Sequence, residues 1–207
     1  MAPTRRAATT ATMTTSALLA IAAAAHGQAA LNGVNIVVED TTLELGESTT
    51  IRLEAYFDPA LYAMSGIETS LFSSEGRTGL SDWRLLAPMD GPGTSVGRPG
   101  ADGVDGILAG QIHGLAGIYG DTTNPMPFWE ATYTAPVAGA EPIFVDLATE
   151  TTRFAVYLWR DSAQSESRLG DFAEGTARIH IVPAPAGALV LVPAVLAMPA
   201  WRRRRER

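Results

Sequence analysis

The chain has 207 residues, a formal net charge of −7, 46% hydrophobic residues and neither cysteine nor lysine. Without cysteine there is no disulfide framework, and without lysine there is no Schiff-base chemistry and no Lys–Asn isopeptide cross-link. Between residues 31 and 182 eight arginines face 21 acidic residues, a net charge of −13, which repels nucleic acid and anionic lipid and favours solubility.

The chain opens with Arg5 and Arg6, a short apolar run over Ser16–Ala25, and small residues at Ala23, Ala24, Ala25, Ala29 and Ala30. This order reads as a secretory signal peptide over residues 1–30, cleaved between Ala25 and Leu31. The run is too short for a comfortable membrane anchor.

From Gly33 the pattern becomes that of strands. Val34, Ile36 and Val38 alternate, Leu43 and Leu45 follow, and Gly46-Glu47-Ser48 marks a turn. The clearest stretch comes next: Thr49, Ile51, Leu53, Ala55 and Phe57 alternate with Thr50, Arg52, Glu54 and Tyr56. Period two with β-branched residues predicts a strand with one buried face, ended by Asp58-Pro59. Leu61–Gly66 reads as a connection, and Ile67, Thr69 and Leu71 as another strand. Trp83 and Leu85 line a short one, with Trp83 expected in the core.

Ala87–Gly106 carries three prolines and six glycines and reads as a long loop without regular structure. A strand over Ile107–His113 follows. Phe128–Thr134 is the next. Two more are expected around Ile143–Leu147 and Phe154–Leu158, and after a polar loop over Asp161–Gly170 a last one over Thr176–Val182. Eight to ten short strands, Gly/Pro turns and almost no helix predict an all-β, antiparallel β-sandwich over residues 31–182. The Leu45-Gly46-Glu47-Ser48 turn and the strand after it resemble those of cohesin-like and related immunoglobulin-like sandwiches. That resemblance carries no functional residue.

The end of the chain is the most specific stretch. No formal charge lies between Arg178 and Arg202, and Ile181–Trp201 is long enough to cross a bilayer as a helix, which takes about 20 residues. Trp201 suits the headgroup layer, and Arg202, Arg203, Arg204 and Arg205 stay on the cytoplasmic side. Val182-Pro183-Ala184-Pro185, the apolar span and the terminal arginines resemble a PEP-CTERM sorting signal, with Ala184 where that family has Glu. The resemblance covers about the last 26 residues. It implies that residues 183–207 are a sorting tail with a transmembrane helix, handled by an exosortase-type processing enzyme. The protein is then an exported, inner-membrane-anchored intermediate that goes on to the cell surface or the extracellular space.

Chemistry is sparse elsewhere. Gly93-Thr94-Ser95-Val96-Gly97 fits the hydrolase nucleophile elbow, but Pro92 and Pro99 flank it where a strand and a helix are required. His113 and His180 are far apart, and a surface imidazole is the expectation, with His180 on the polar face of the last strand. Asp90, Asp102, Asp105 and Asp121 surround the glycine-rich stretch and are the calcium candidates, weak ones because their spacing matches no EF-hand and loop aspartates ordinarily serve turns. No metal site, catalytic residue or cofactor is expected. The chain reads as a non-enzymatic structural or interaction protein of the cell envelope or extracellular matrix. The competing reading is a carbohydrate-binding module of a polysaccharide matrix, with Tyr56, Tyr133, Tyr157 and Trp159 as candidate stacking residues.

Overall fold

A computed structural model describes residues 30–76, 78–113, 117–139 and 141–183. Among them are twelve strands: β1 Asn32–Val38, β2 Thr42–Glu44, β3 Ser48–Tyr56, β4 Ala63–Ser73, β5 Leu80–Leu85, β6 Ser95–Pro99, β7 Gly103–Gly110, β8 Met126–Thr134, β9 Ile143–Tyr157, β10 Ser165–Ser167, β11 Phe172–Ala173 and β12 Thr176–Val182. The only helical turn among these residues is a 3₁₀ turn at Leu169–Asp171. The strands form two sheets, β11-β1-β3-β8-β5 and β2-β12-β9-β4-β7-β6, with β10 added to β9. The fold is therefore an all-β sandwich. It is not purely antiparallel, because β11 runs parallel to β1 and β2 parallel to β12.

The core follows from period two. Thr49, Ile51, Leu53, Ala55 and Phe57 are all buried, as the alternation of β3 requires. Leu53 lies opposite Ile36 of β1 and Trp129 of β8. Here the pairing shifts, so that Leu53 faces Trp129 while Glu54 faces Pro127, and Phe128 is the extra residue of a bulge. The bulge lets two consecutive large residues, Phe128 and Trp129, both enter the core. Trp129 is thus the tryptophan between the sheets, and its Nε1–H donates to the Val96 carbonyl of β6 at 3.0 Å. Trp83, expected there, is only partly buried at the edge of the cluster.

Three further expectations are corrected. Residues 87–106 are not an unstructured loop, since they contain β6 and the start of β7, which pair as a hairpin. The glycines that suggested a loop have other work. A Cβ on Gly103 would lie 1.9 Å from the Leu71 carbonyl oxygen, so glycine is what lets β7 approach β4. Second, the two strands expected over residues 143–158 are one continuous strand, β9. Its polar centre hides the continuity: Thr149 and Thr151 are buried, and the Glu174 carboxylate accepts the Thr149 hydroxyl at 2.8 Å, the Thr151 N–H at 2.8 Å and the Thr151 hydroxyl at 3.0 Å. Third, Leu61–Gly66 is not all connection, because β4 begins at Ala63.

The sheet margins are short or irregular. The outermost strands are β11 with two residues, β2 with three, β6 with five, and β5, whose pairing to β8 is broken between Ser81 and Arg84 around Asp82 at φ 52°.

Register fixes the two ends of the sandwich. Ile181 pairs with Ile143, so β12 leaves the sheet where β9 begins. Ala63 pairs with Tyr157 and Gly66 with Gly110, so the opposite pole gathers the connections 57–62, 86–94, 111–125 and 158–164. We call the first the exit pole and the second the cap pole.

Candidate functional site

The cap pole is built on three buried polar residues from two strand ends. Gln111 and His113 follow β7, and Tyr157 closes β9; their exposures are 7%, 2% and 9%. Each is fully engaged, as burial demands. The Gln111 side chain donates to the Met64 and Asp121 carbonyls and accepts the Asp121 N–H at 2.7 Å, so it replaces a strand partner where β7 has run out. The Tyr157 hydroxyl donates to the Gln111 carbonyl at 3.0 Å, and burial raises the phenol above its ordinary 10.0.

His113 accepts the Gly120 N–H on Nδ1 at 2.8 Å. Only a lone pair can meet that donor, so the ring proton is on Nε2, which donates to the Trp159 carbonyl at 3.1 Å. The ring packs between Tyr62 and Tyr157, with centroids 5.0 and 4.5 Å away, and reaches Tyr119 at 6.2 Å. One imidazole therefore ties together the connections 57–62, 111–125 and 158–164. The surface reading of His113 is overturned, because a sequence shows the residue but not the two backbone groups that close over it. His180 does lie on the outer face of its sheet, half-exposed and stacked on Phe144 at 4.5 Å.

Around this base the cap exposes large apolar and aromatic side chains. Ile118 is 50% exposed, Tyr119 47% and Trp159 57%, with Ile112 beside them. The Arg160 guanidinium lies 4.5 Å over the Tyr119 ring. Asp90, Ile112, Ile118, Tyr119 and Asp121 line one recess together with Pro88. The connection 86–94 is held against the end of β7 by Gly91 N–H to Gly110 O at 3.0 Å and Gly110 N–H to Met89 O at 2.9 Å. Thr123 donates both its N–H and its hydroxyl to the Asp121 carboxylate, at 2.8 and 2.6 Å, and these bonds hold that carboxyl below its ordinary 3.8.

Of the four calcium candidates, Asp90 and Asp121 share this recess. Asp102 and Asp105 lie at the other end of the β6–β7 hairpin, where the Ser73 N–H donates to the Asp102 carbonyl at 2.7 Å. Among the described residues no group of three or more His, Cys, Asp or Glu converges as metal ligands would. Ser95 of the G-x-S-x-G stretch begins β6 and accepts the Gly97 N–H at 3.2 Å; a strand follows it, not the helix an elbow needs. Of the four aromatics proposed for stacking, Tyr133 and Tyr157 are buried at 1% and 9%, and Tyr56, at the cap-pole end of β3 on its outer face, is partly buried. Trp159 alone is both exposed and at this pole. Tyr119 and Arg160 were missed, because they come from loops that only the fold brings together.

Val182 is the last residue of β12 and Pro183 the last described before the tail. Ile181 and Val182 pair with β9 and β2, so the apolar span expected from Ile181 begins no earlier than Pro183, which leaves 19 residues to Trp201. Ala184, Pro185, Trp201 and Arg202–Arg205 lie outside the described residues. Among those described, no helix is long and apolar enough to cross a membrane.

No family model matches the chain. No curated protein matches it either. Among solved structures the chain is similar to cohesins. The seventh ScaB type I cohesin of Pseudobacteroides cellulosolvens superimposes with a TM-score of 0.51 at 16% identity, over 75% of this chain and 95% of that one. A type I cohesin–dockerin complex from Clostridium thermocellum gives 0.49 at 12%, over 72% and 99%. A cohesin module of a family 33 glycoside hydrolase from Clostridium perfringens gives 0.48 at 11%, over 75% and 99%. At such identity the likeness is one of fold: the sandwich is cohesin-like.

Proposed function

We propose that this chain is an exported, non-enzymatic interaction protein of the cell envelope or extracellular matrix, sorted through its C-terminal tail. Residues 1–30 direct export, residues 31–182 form the ectodomain, and residues 183–207 are the sorting tail. Val182-Pro183-Ala184-Pro185 are the motif read by an exosortase-type enzyme, and Trp201 with Arg202–Arg205 hold the chain at the inner membrane until it is processed.

The observation that carries the reading is polarity of the sandwich. β12 hands the chain out at one pole, while the exposed aromatic cap occupies the other. A domain tethered at its exit pole presents the cap outward. The histidines support an interaction role over catalysis, since His113 spends both ring nitrogens on backbone groups and His180 is stacked on Phe144. The second reading, an extracellular polysaccharide partner, is favoured by the exposure of Tyr119 and Trp159.

Fractionation and mass measurement of three chains test the sorting: wild type, a variant with Arg202–Arg205 replaced by serine, and a Pro183→Ala/Pro185→Ala variant, in a host with the processing enzyme. Moving one Arg through the bilayer centre costs about 2.5–3.5 kcal/mol on insertion scales, so the serine variant should lose retention. The proline variant should insert and stay in membranes at full mature length, because extended Pro-flanked backbone is what a peptidase binds. Wild type recovered soluble with its tail attached would overturn the anchor reading.

A further inference from the structure

We infer that the cap pole is a binding site for a neutral, hydroxyl-rich polysaccharide, with Trp159 and Tyr119 as stacking surfaces and Asp90, Asp121 and Arg160 as the polar groups that fix the sugar's orientation. The inference rests on the interaction reading and gives it a site and a ligand class.

Three observations converge. First, Tyr119 and Trp159 keep about half of their surface in water at the end that faces away from the tail, although the core beneath is closely filled. The backbone of Trp159 is anchored through its carbonyl by His113, and the Tyr119 ring is covered on one face by Arg160, which leaves the other face for a ligand. A rigid aromatic loses little conformational freedom when a flat ligand stacks on it, and the apolar C–H face of a pyranose is such a ligand. Second, the recess beside Tyr119 combines the apolar Ile112 and Ile118 with two carboxylates. Asp121 has its Oδ1 fixed by Thr123, leaving Oδ2 without a protein partner among the described residues, and the carboxylate of Asp90 has none among them either. Ionised carboxylates accept strong hydrogen bonds from hydroxyls, and the Arg160 guanidinium donates. Alternating apolar faces and hydroxyls match such a surface. Third, the charge of −13 over residues 31–182 disfavours anionic polymers, which selects neutral chains over uronic-acid ones.

The test is affinity electrophoresis of the full chain in mild detergent, through native gels containing dextran, mixed-linkage β-glucan or xylan, with alginate as the anionic counterpart. A neutral glycan array extends the panel. At least one neutral glycan should retard the protein and alginate should not. Trp159→Ala and Tyr119→Ala should each weaken that retardation at least tenfold. Phe144→Ala removes another exposed aromatic, 54% exposed on the outer face of the larger sheet, and should change nothing. Circular dichroism of each variant shows whether the sandwich persists, which substitution of exposed side chains should not disturb. No binding to any neutral glycan, preference for alginate, or retardation indifferent to Trp159 and Tyr119 would each overturn the inference. These results are separable from the sorting reading: a correctly sorted chain that binds no glycan sinks the site alone, and a glycan-binding chain that never enters the membrane sinks the sorting alone.

Discussion

Replacing His113 by phenylalanine isolates the hydrogen bonds that hold the cap together. The phenyl ring keeps the aromatic contacts with Tyr62 and Tyr157, whose centroids lie 5.0 and 4.5 Å from the imidazole, and removes both ring nitrogens. Two backbone groups then lose their partners. Gly120 is buried, and leaving its N–H unsatisfied costs about 1–3 kcal/mol. The Trp159 carbonyl also loses its donor, in a part-buried position, at an added cost of about 0.5 kcal/mol. The total is roughly 1.5–3.5 kcal/mol, and at about 2–4 °C per kcal/mol for a domain of this size the melting temperature should fall by about 3–14 °C. His113→Ala loses the ring contacts and opens a cavity as well, so it should be clearly worse. Urea unfolding of residues 31–182, followed by tryptophan fluorescence, gives the midpoints; the dependence on urea should not change, because the same surface is exposed. A phenylalanine variant as stable as wild type, or an alanine variant no worse than phenylalanine, would refute the role given to the two ring nitrogens.

Other perturbations test the rest of the sandwich. Residues 31–182 expressed alone should be soluble, monomer-sized and β-rich by circular dichroism; a helical spectrum would contradict the fold. Leu53, fully buried against Trp129, should cost about 2–5 kcal/mol on Leu53→Ala, whereas Arg52→Ala removes only part-exposed ion pairs to Glu39 and Glu130 at 3.7 Å and should cost about 1 kcal/mol or less; equal shifts in the urea midpoint would misassign the faces of β3. Gly103→Ala should destabilise far more than Gly106→Ala, since both have positive φ but an added Cβ at Gly106 meets nothing within 4 Å; thermal melts of the pair decide it. The Arg178 guanidinium beside Asp146 holds its carboxyl below the ordinary 3.8, so the unfolded chain takes up that proton first. The stabilisation is present above pH 3.8 and fades as pH falls through the lower folded value, so Asp146→Asn should flatten the acid limb of a melting-temperature curve and leave its neutral part unchanged in shape.

Burial by alternation was legible wherever a strand keeps to period two with apolar inward residues. β3 and β12 are such strands, and Ile179 and Ile181 point inward as Ile51 and Leu53 do. Legibility failed where a tertiary partner replaces the local signal. Thr149 and Thr151 look like loop residues until Glu174 arrives from another connection to satisfy them. Gly97 and Gly103 look like turn punctuation, yet they serve close strand approach, and that depends on what lies across the sheet. Phe128 and Trp129 break alternation because of a bulge that pairing, not composition, reveals. The cap was hardest to see: Tyr119, Trp159 and His113 lie up to 46 positions apart, and what joins them is the His113 ring, which bonds the Trp159 carbonyl and the Gly120 N–H and packs near Tyr119. The two parallel pairings were equally invisible, since strand direction is set by the path of the chain between strands.

The irregular sheet margins bear on how densely such domains can be crowded. A sandwich whose outermost strands were long and flat would offer its unpaired N–H and C=O groups to every neighbour, and molecules concentrated on one surface would zip together into fibres. Here the outermost strands have two, three, five and six residues, the last kinked at Asp82, and β6 ends in a proline. Contacts between adjacent copies are thereby left to side chains and not to backbone ladders.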